Sequence, residues 1–205
     1  MSTELAFVGD IHGNVSATMG LVQALEKRCV SQVVFLGDYI NKGPDSARVI
    51  QRIIDFSRSR RVVLLRGNHE AALIDALDTF DLAPFLKIGG AKTIRSYAGT
   101  NVPPDVLSAL ISAMPRDHVE AFRRMDSVFE TQELIAQHEP LRHSTGKFRI
   151  TAHIPVGPVP RVTKNFAHID TGCGTDGGRL TALLWPSLEY IQVNAFGEIV
   201  VDKQP

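Results

Sequence analysis

Three short apolar runs, each closed by a glycine and then an acid or an amide, constrain the fold of this chain most. Residues 5–8 end in Gly9-Asp10, residues 33–36 end in Gly37-Asp38, and residues 62–65 lead through Arg66 into Gly67-Asn68. Continuous runs of this length, rich in β-branched residues, suit strands buried on both faces. Between them lie helical patterns: Ala17, Leu21, Ala24 and Leu25 share one face, as do Val49, Ile50, Ile53 and Ile54. Asn14 and Ser16, then Asp45 and Ser46, are candidate N-caps. Strand, loop, helix, strand in repetition implies parallel strands with right-handed crossovers. Ligands of such sheets gather beyond the carboxyl ends of the strands. Asp10, His12, Asp38, Asn68 and His69 all fall there.

The stretch from Leu73 to about Met125 reads as helical, punctuated by Gly89-Gly90 and Pro103-Pro104. Strand-like segments follow at 134–136, 148–151, 167–169, 180–184, 190–193 and 199–201, most of them separated by Gly or Pro turns. No linker or low-complexity tract divides the chain. The expected organisation is one α/β domain over residues 1–205, with a helical insertion at about 71–125.

Bulk properties narrow the function. The 205 residues are 44% hydrophobic and 21% charged, ordinary for a soluble globular protein. Formal net charge is zero, so no basic excess favours a nucleic-acid partner. Arg58, Arg60 and Arg61 read as a solvated edge. Cys29 and Cys173 are far apart and lack any C-x-x-C pairing, which fits a reducing compartment. No apolar run reaches the roughly 18 residues of a membrane span, and residues 5–8 are too short for a signal-peptide core. The expectation is a cytoplasmic protein with no membrane partner.

Five motifs carry the chemistry. Gly9-Asp10-Ile11-His12-Gly13 offers a carboxylate and an imidazole, Gly37-Asp38 a second carboxylate, and Gly67-Asn68-His69-Glu70 an amide and another imidazole. Gln137-His138 and Ala152-His153 each place a histidine just after an apolar strand. Asp, His and Asn suit borderline divalent ions better than hard Mg or Ca. The ions expected are two, manganese first, with iron or zinc as alternatives. Six such ligands suffice for two ions if Asp38 bridges them. Paired ions about 3.5–4 Å apart can hold a phosphate and turn a shared water into hydroxide. Each motif alone is ordinary turn chemistry; the five together, each after a strand, are not.

On these motifs the chain resembles the phosphoprotein phosphatase branch of the calcineurin-like metallophosphoesterases. The small bacterial and phage serine/threonine phosphatases are the nearest type, with the symmetrical diadenosine tetraphosphatases close by. The likeness includes Leu64-Leu65-Arg66-Gly67-Asn68-His69-Glu70, Gly43-Pro44-Asp45-Ser46, Ile169-Asp170-Thr171-Gly172 and Gly178-Arg179-Leu180-Thr181-Ala182-Leu183. It implies a sandwich of two β-sheets flanked by helices. It also implies one ion on Asp10, His12 and the bridging Asp38, and a second on Asp38, Asn68, His138 and His153. His69 would be the general acid for the leaving alkoxide.

The pattern is broken at two catalytic positions. Relatives read Gly-Asp-x-x-Asp-Arg-Gly where this chain has Gly37-Asp38-Tyr39-Ile40-Asn41-Lys42-Gly43. Asn41 is expected to accept a hydrogen bond from His69 without supplying charge, leaving His69 a poorer acid. Lys42 keeps the phosphate-facing charge but loses the arginine fork. Arg142, in His138-Glu139-Pro140-Leu141-Arg142, is the candidate second phosphate contact, a surface arginine being the alternative. The segment between His138 and His153 is shorter than in typical relatives.

Three functions compete: a phosphomonoesterase acting on phosphoserine, phosphothreonine or small phosphate esters; a dinucleoside polyphosphate hydrolase; and a degenerate phosphatase that binds metal or phosphoprotein without turnover. His118 is expected to be solvated. His143 and His168 have no ligand geometry in the sequence, and Cys173 reads as structural.

Overall fold

The computed structural model describes residues 4–140 and 146–202. β1 (Leu5–Val8) and β2 (Gln32–Phe35) run parallel inside a six-stranded sheet, and their alternate residues enter two different cores. Ala6, Val8, Val33 and Phe35 face a helix-lined core, whereas Phe7 and Val34 face a core shared with the second sheet. Cover on both faces is why these runs show no polar alternation. β3 (Val62–Leu64) departs from that expectation. It pairs parallel with β2 but forms the sheet edge, so all three of its residues are only half-buried.

β9 (Leu180–Trp185) pairs antiparallel with β1 and is followed outward by β10 (Tyr190–Val193) and β11 (Ile199–Asp202), giving the order β11-β10-β9-β1-β2-β3. The second sheet has five strands: β4 (Val128–Glu130), β5 (Leu134–Gln137), β6 (Phe148–Thr151), β7 (Arg161–Val162) and β8 (Phe166–His168), ordered β4-β5-β6-β8-β7. β4 and β7 escape the sequence pattern because they are short edge strands, each with a single half-buried residue, Phe129 and Val162, against the core.

α1 (Val15–Glu26) and α2 (Ser46–Ser57) cross over between the parallel strands. Asn14 caps α1, its Oδ1 accepting from Ala17 N at 2.9 Å, while Ser16 lies inside the helix. Asp45 precedes α2 without a capping bond and meets Arg48 at 3.5 Å instead. Five helices separate β3 from β4: α3 (Asn68–Thr79), α4 (Ala83–Lys87), α5 (Gly90–Ala98), α6 (Val106–Ala113) and α7 (Arg116–Arg123). They add Leu73, Phe85, Ile94, Leu110 and Phe122 to the helix-lined core. The result is an α/β sandwich of two mixed sheets with flanking helices. Among the described residues no helix is long and apolar enough to cross a membrane.

His118 corrects its expectation. It is 2% exposed, with Nδ1 at 2.9 Å from Tyr97 Oη and Nε2 at 3.1 Å from Gln51 Oε1. The α7 face that looks polar in sequence packs across α2 and α5, so a partnered imidazole is buried there. Arg58, Arg60 and Arg61 are exposed, as expected of an edge.

Candidate metal centre

The loops leaving β1, β2 and β3 meet those leaving β5 and β6 at one end of the sandwich. Asp38 sits in the middle. One carboxylate oxygen lies 3.6 Å from His12 Nε2 and 3.7 Å from His69 Nε2, and the other 3.3 Å from His138 Nε2. Asp10 Oδ2 is 3.4 Å from His12 Nε2, and Asp10 Oδ1 accepts from His153 N at 3.3 Å. Asn68 Oδ1 is 3.2 Å from His138 Nε2 and 3.1 Å from His153 Nδ1. Two groups able to hold a metal ion result, His12–Asp38–His69 and Asp38–His138–His153, sharing Asp38.

The donor set fits cations. His12 Nδ1 donates to Ile40 O and His138 Nδ1 to Leu36 O, each at 3.1 Å, which turns the Nε2 lone pairs inward. Asp10 Oδ2 is buried without a hydrogen-bond partner. Asn68 Oδ1 points at two ring nitrogens, an acceptor among acceptors that a cation between them satisfies; rotating the amide would instead let Nδ2 donate to the same atoms. The electrostatics agree. Burial lowers His138, but the Asp38, Asp10 and Glu70 carboxylates outweigh it and raise the imidazole to about 9. Burial also opposes charge on His12, yet Asp10 and Asp38 raise it above 6.5. Against its own desolvation, Asp38 is pulled down to about 2 by His138, His69 and His12. Protons occupy positions that divalent ions would take, so metal loading should release them.

Backbone strain concentrates here. His12, Asp38, Asn41, Lys42 and His153 have φ of 48°, 54°, 68°, 49° and 69°. Left-handed geometry costs a non-glycine residue roughly 1–2 kcal/mol, so the surrounding contacts must hold it. Glu70 is the chief of these. Fully buried, it accepts from Gly67 N at 3.1 Å, Asp38 N at 2.8 Å, Tyr39 N at 2.9 Å and Ile40 N at 3.3 Å. Burial and the Asp38 charge push its carboxyl up to about 7, against the pull of His138 and of the Asp38 and Tyr39 N–H donors. A Cβ on Gly67 would strike Asp38 Oδ1 and N, so glycine is required where the two loops touch. The sequence motif by itself gives Glu70 no role. The signal was present: an acid three residues after Gly67, at the third position of a helix. Asp170, in the Ile169-Asp170-Thr171-Gly172 motif, is also buried, and burial and Asp10 push it up to about 6.

Asn41 corrects a second expectation. Its amide donates to His69 rather than accepting, with Nδ2 at 2.6 Å from Nδ1. Oδ1 is taken by the Thr93 hydroxyl at 2.6 Å, and Nδ2 also reaches Ile88 O at 3.4 Å. A donor at Nδ1 places the ring proton on Nε2 and leaves the imidazole neutral. Burial, with His12 and Lys42 nearby, lowers His69 to about 4 despite Asp38. Lys42 is exposed, yet its Nζ lies 2.6 Å from His12 Nε2.

Arg142 and His143 lie outside the described residues. His168 stands on the outer face of the second sheet, away from the centre. Cys173 is buried, with Sγ at 3.2 Å from Ile11 O and burial pushing its thiol up to about 12, consistent with a structural cysteine. A cavity of about 370 Å³ lined by Arg66, Asn68, Ser127, Gln137, His138 and Glu139 opens beside the second group of ligands.

The calcineurin-like phosphoesterase family matches residues 3–181, and the chain belongs to that family. It is 29% identical over 119 residues to the zinc-dependent endopolyphosphatase of Saccharomyces cerevisiae, matching 57% of this chain and 36% of that protein. The chain therefore spans about a third of that relative. It is 21% identical to the asymmetrical bis(5'-nucleosyl)-tetraphosphatase PrpE of Oceanobacillus iheyensis, over 98% of this chain and 96% of that one. The cold-active protein-tyrosine phosphatase of a psychrophilic Shewanella shares the fold, with a TM-score of 0.62 at 12% identity over 97% of this chain and 80% of the other. The family match thus falls on a chain whose described residues include two His and Asp groups able to hold a metal ion.

Proposed function

We propose that this enzyme hydrolyses phosphate monoesters, on phosphoserine or phosphothreonine or on small phosphate esters, with two divalent ions. Asp10, His12 and Asp38 would hold one ion, and Asp38, Asn68, His138 and His153 the other. Manganese is the first choice, because a mixed carboxylate, amide and imidazole set suits borderline ions. When bound, such a pair polarises the phosphoryl group and activates water. The chain's own residues do the rest. The Lys42 ammonium, exposed beside the centre, offsets phosphate charge. His69 presents an Nε2–H to the departing oxygen, and Asn41 fixes that tautomer. The free thiols of Cys29 and Cys173 support a reducing compartment such as the cytoplasm. The observation that carries this reading is the sharing of Asp38 by two groups of inward-facing acceptors.

A second reading, cleavage of a phosphoanhydride such as a dinucleoside polyphosphate, is favoured by the Asn41–His69 bond. A neutral imidazole stabilises a departing phosphate by hydrogen bonding but is a weak proton source for an alkoxide. Hydrolysis of p-nitrophenyl phosphate by metal-stripped protein, followed as Mn²⁺ is restored, tests the common claim. Activity should rise from zero and be absent in Asp38→Asn. A flat response with metal demonstrably bound would instead indicate a binding module without turnover. Rates on a phosphoserine peptide and on diadenosine tetraphosphate then separate the two substrates.

A further inference from the structure

The outer face of the second sheet carries a cationic cluster that the metal centre does not use. Phe148, Ile150 and Ala167 point into the core between the sheets, so Arg149 and Thr151 of β6 and Phe166 and His168 of β8 point away from it. Arg149 stands opposite Phe166 in the strand register, and Arg161 of β7 opposite His168. The two guanidinium groups lie 5.7 Å and 5.6 Å from the centre of the Phe166 ring. The His168 ring lies 4.8 Å from the same centre. Neither arginine has a carboxylate partner among the described residues. Stacking on an aromatic face holds a guanidinium in plane while leaving its N–H edge free.

Pro140, Arg149, Thr151, Phe166 and His168 line a cavity of about 120 Å³ at this cluster. Thr151 Oγ1 is 2.5 Å from His168 Nδ1. When the hydroxyl donates in that bond, the neutral ring carries its proton on Nε2, and an anion beside Nε2 selects that arrangement. Burial, followed by Arg161 and Arg149, holds the imidazole below its usual range, in line with an uncompensated positive field. The volume is well below the roughly 300–1,000 Å³ of a pocket for a drug-sized molecule. It suits an anionic head group and leaves no room for a base. Arg149 and His168 line this space, and Arg161 stands beside it against the same Phe166 ring. A phosphoryl dianion offers oxygens to both the guanidinium and the ring N–H, and its second charge is offset by the neighbouring Arg161, which a carboxylate's single charge would leave unmatched.

We propose that Arg149, Arg161 and His168 form an anion site, separate from the metal centre, for inorganic phosphate or the phosphoryl end of a small ester. The test follows the ¹³C-labelled imidazole of His168 by NMR in zinc-loaded protein as inorganic phosphate is added. A saturable shift is expected with a midpoint on the order of 1 mM, absent with acetate. The midpoint should weaken by at least about tenfold in Arg149→Gln/Arg161→Gln, with p-nitrophenyl phosphate hydrolysis unchanged. No saturable shift, or an unchanged midpoint in the double variant, overturns the proposal, the latter because phosphate would then be acting from elsewhere. If the double variant does not fold, Arg161→Lys alone must still weaken the midpoint, or the site is refuted. A nucleoside monophosphate distinguishes the sources. An equal midpoint supports a free-phosphate site, and a tighter one supports the phosphoryl end of an ester.

Discussion

The two halves of the proposed metal centre share Asp38 but differ in what already neutralises them. In the half built on Asp10 and His12, the Lys42 ammonium lies 2.6 Å from the inward nitrogen of His12. In the half built on Asn68, His138 and His153, three side-chain polar atoms lie 3.1–3.2 Å apart around the edge of the Asp38 carboxylate, with no lysine in contact among the described residues. One half carries a lysine ammonium that an ion must displace; the other has no such contact, although the surrounding carboxylates raise the imidazole in each half, His12 in the first and His138 in the second. Similar donor chemistry therefore leads to unequal affinity, and the Asn68 half should fill first.

Asp38→Asn gives the largest effect because it strikes both halves together. Losing the shared charge should abolish metal-dependent hydrolysis and reduce bound manganese per chain, measured by elemental analysis after gel filtration. Retention of one full ion would show that one half stands without the bridge, and would break the symmetry expected of Asp38. Glu70→Ala follows. It leaves the buried N–H groups of Asp38 and Tyr39 without acceptors, at about 1–3 kcal/mol each. A urea denaturation midpoint should fall accordingly, while Glu70→Gln, which keeps an acceptor oxygen, should recover part of the loss. Equal stability of the alanine variant would mean that the Asp38 loop is held by its metal ions rather than by Glu70.

Asn41→Asp tests the substrate side of the same centre. A carboxylate facing His69 Nδ1 would accept a proton where the amide donates one, and would favour the imidazolium. A restored general acid is worth typically about 10²–10⁴ in rate. Hydrolysis of a phosphoserine peptide should therefore rise by at least about tenfold, whereas diadenosine tetraphosphate, with its better leaving group, should change little. Equal gains on both would show that Asn41 limits something other than protonation.

The parts of this centre differ in how far sequence reveals them, and the reason is range. Asp10, Asp38 and Asn68 each follow a glycine at the end of an apolar run, and parallel topology is enough to bring such positions together. The direction of the Asn41 amide is another matter. It depends on Thr93, 52 residues away on α5, and on a carbonyl at Ile88, and nothing near Asn41 in sequence records either. His118 looked solvated for the same reason, since its partners Gln51 and Tyr97 are on other helices. The half-burial of β3 is likewise a property of sheet order, which its own three residues cannot show. Local chemistry was readable; long-range partners were not.

Lys42→Ala carries the smallest effect and isolates the contrast between the halves. Removing the ammonium frees His12 Nε2, so calorimetric titration of metal-stripped protein should show the weaker manganese step tightening by about tenfold. That corresponds to roughly 1.4 kcal/mol, a plausible share of a like-charge term at a partly solvated site. The stronger step should hardly move, because Lys42 makes no contact with Asn68, His138 or His153. KM for p-nitrophenyl phosphate should rise at the same time, since the charge facing the substrate is lost. Tightening of both steps would place the lysine field over the whole centre. No tightening at all, with KM still raised, would mean that the ammonium turns toward phosphate as soon as the first half is loaded, and the inequality between the halves would then rest on ligand chemistry alone.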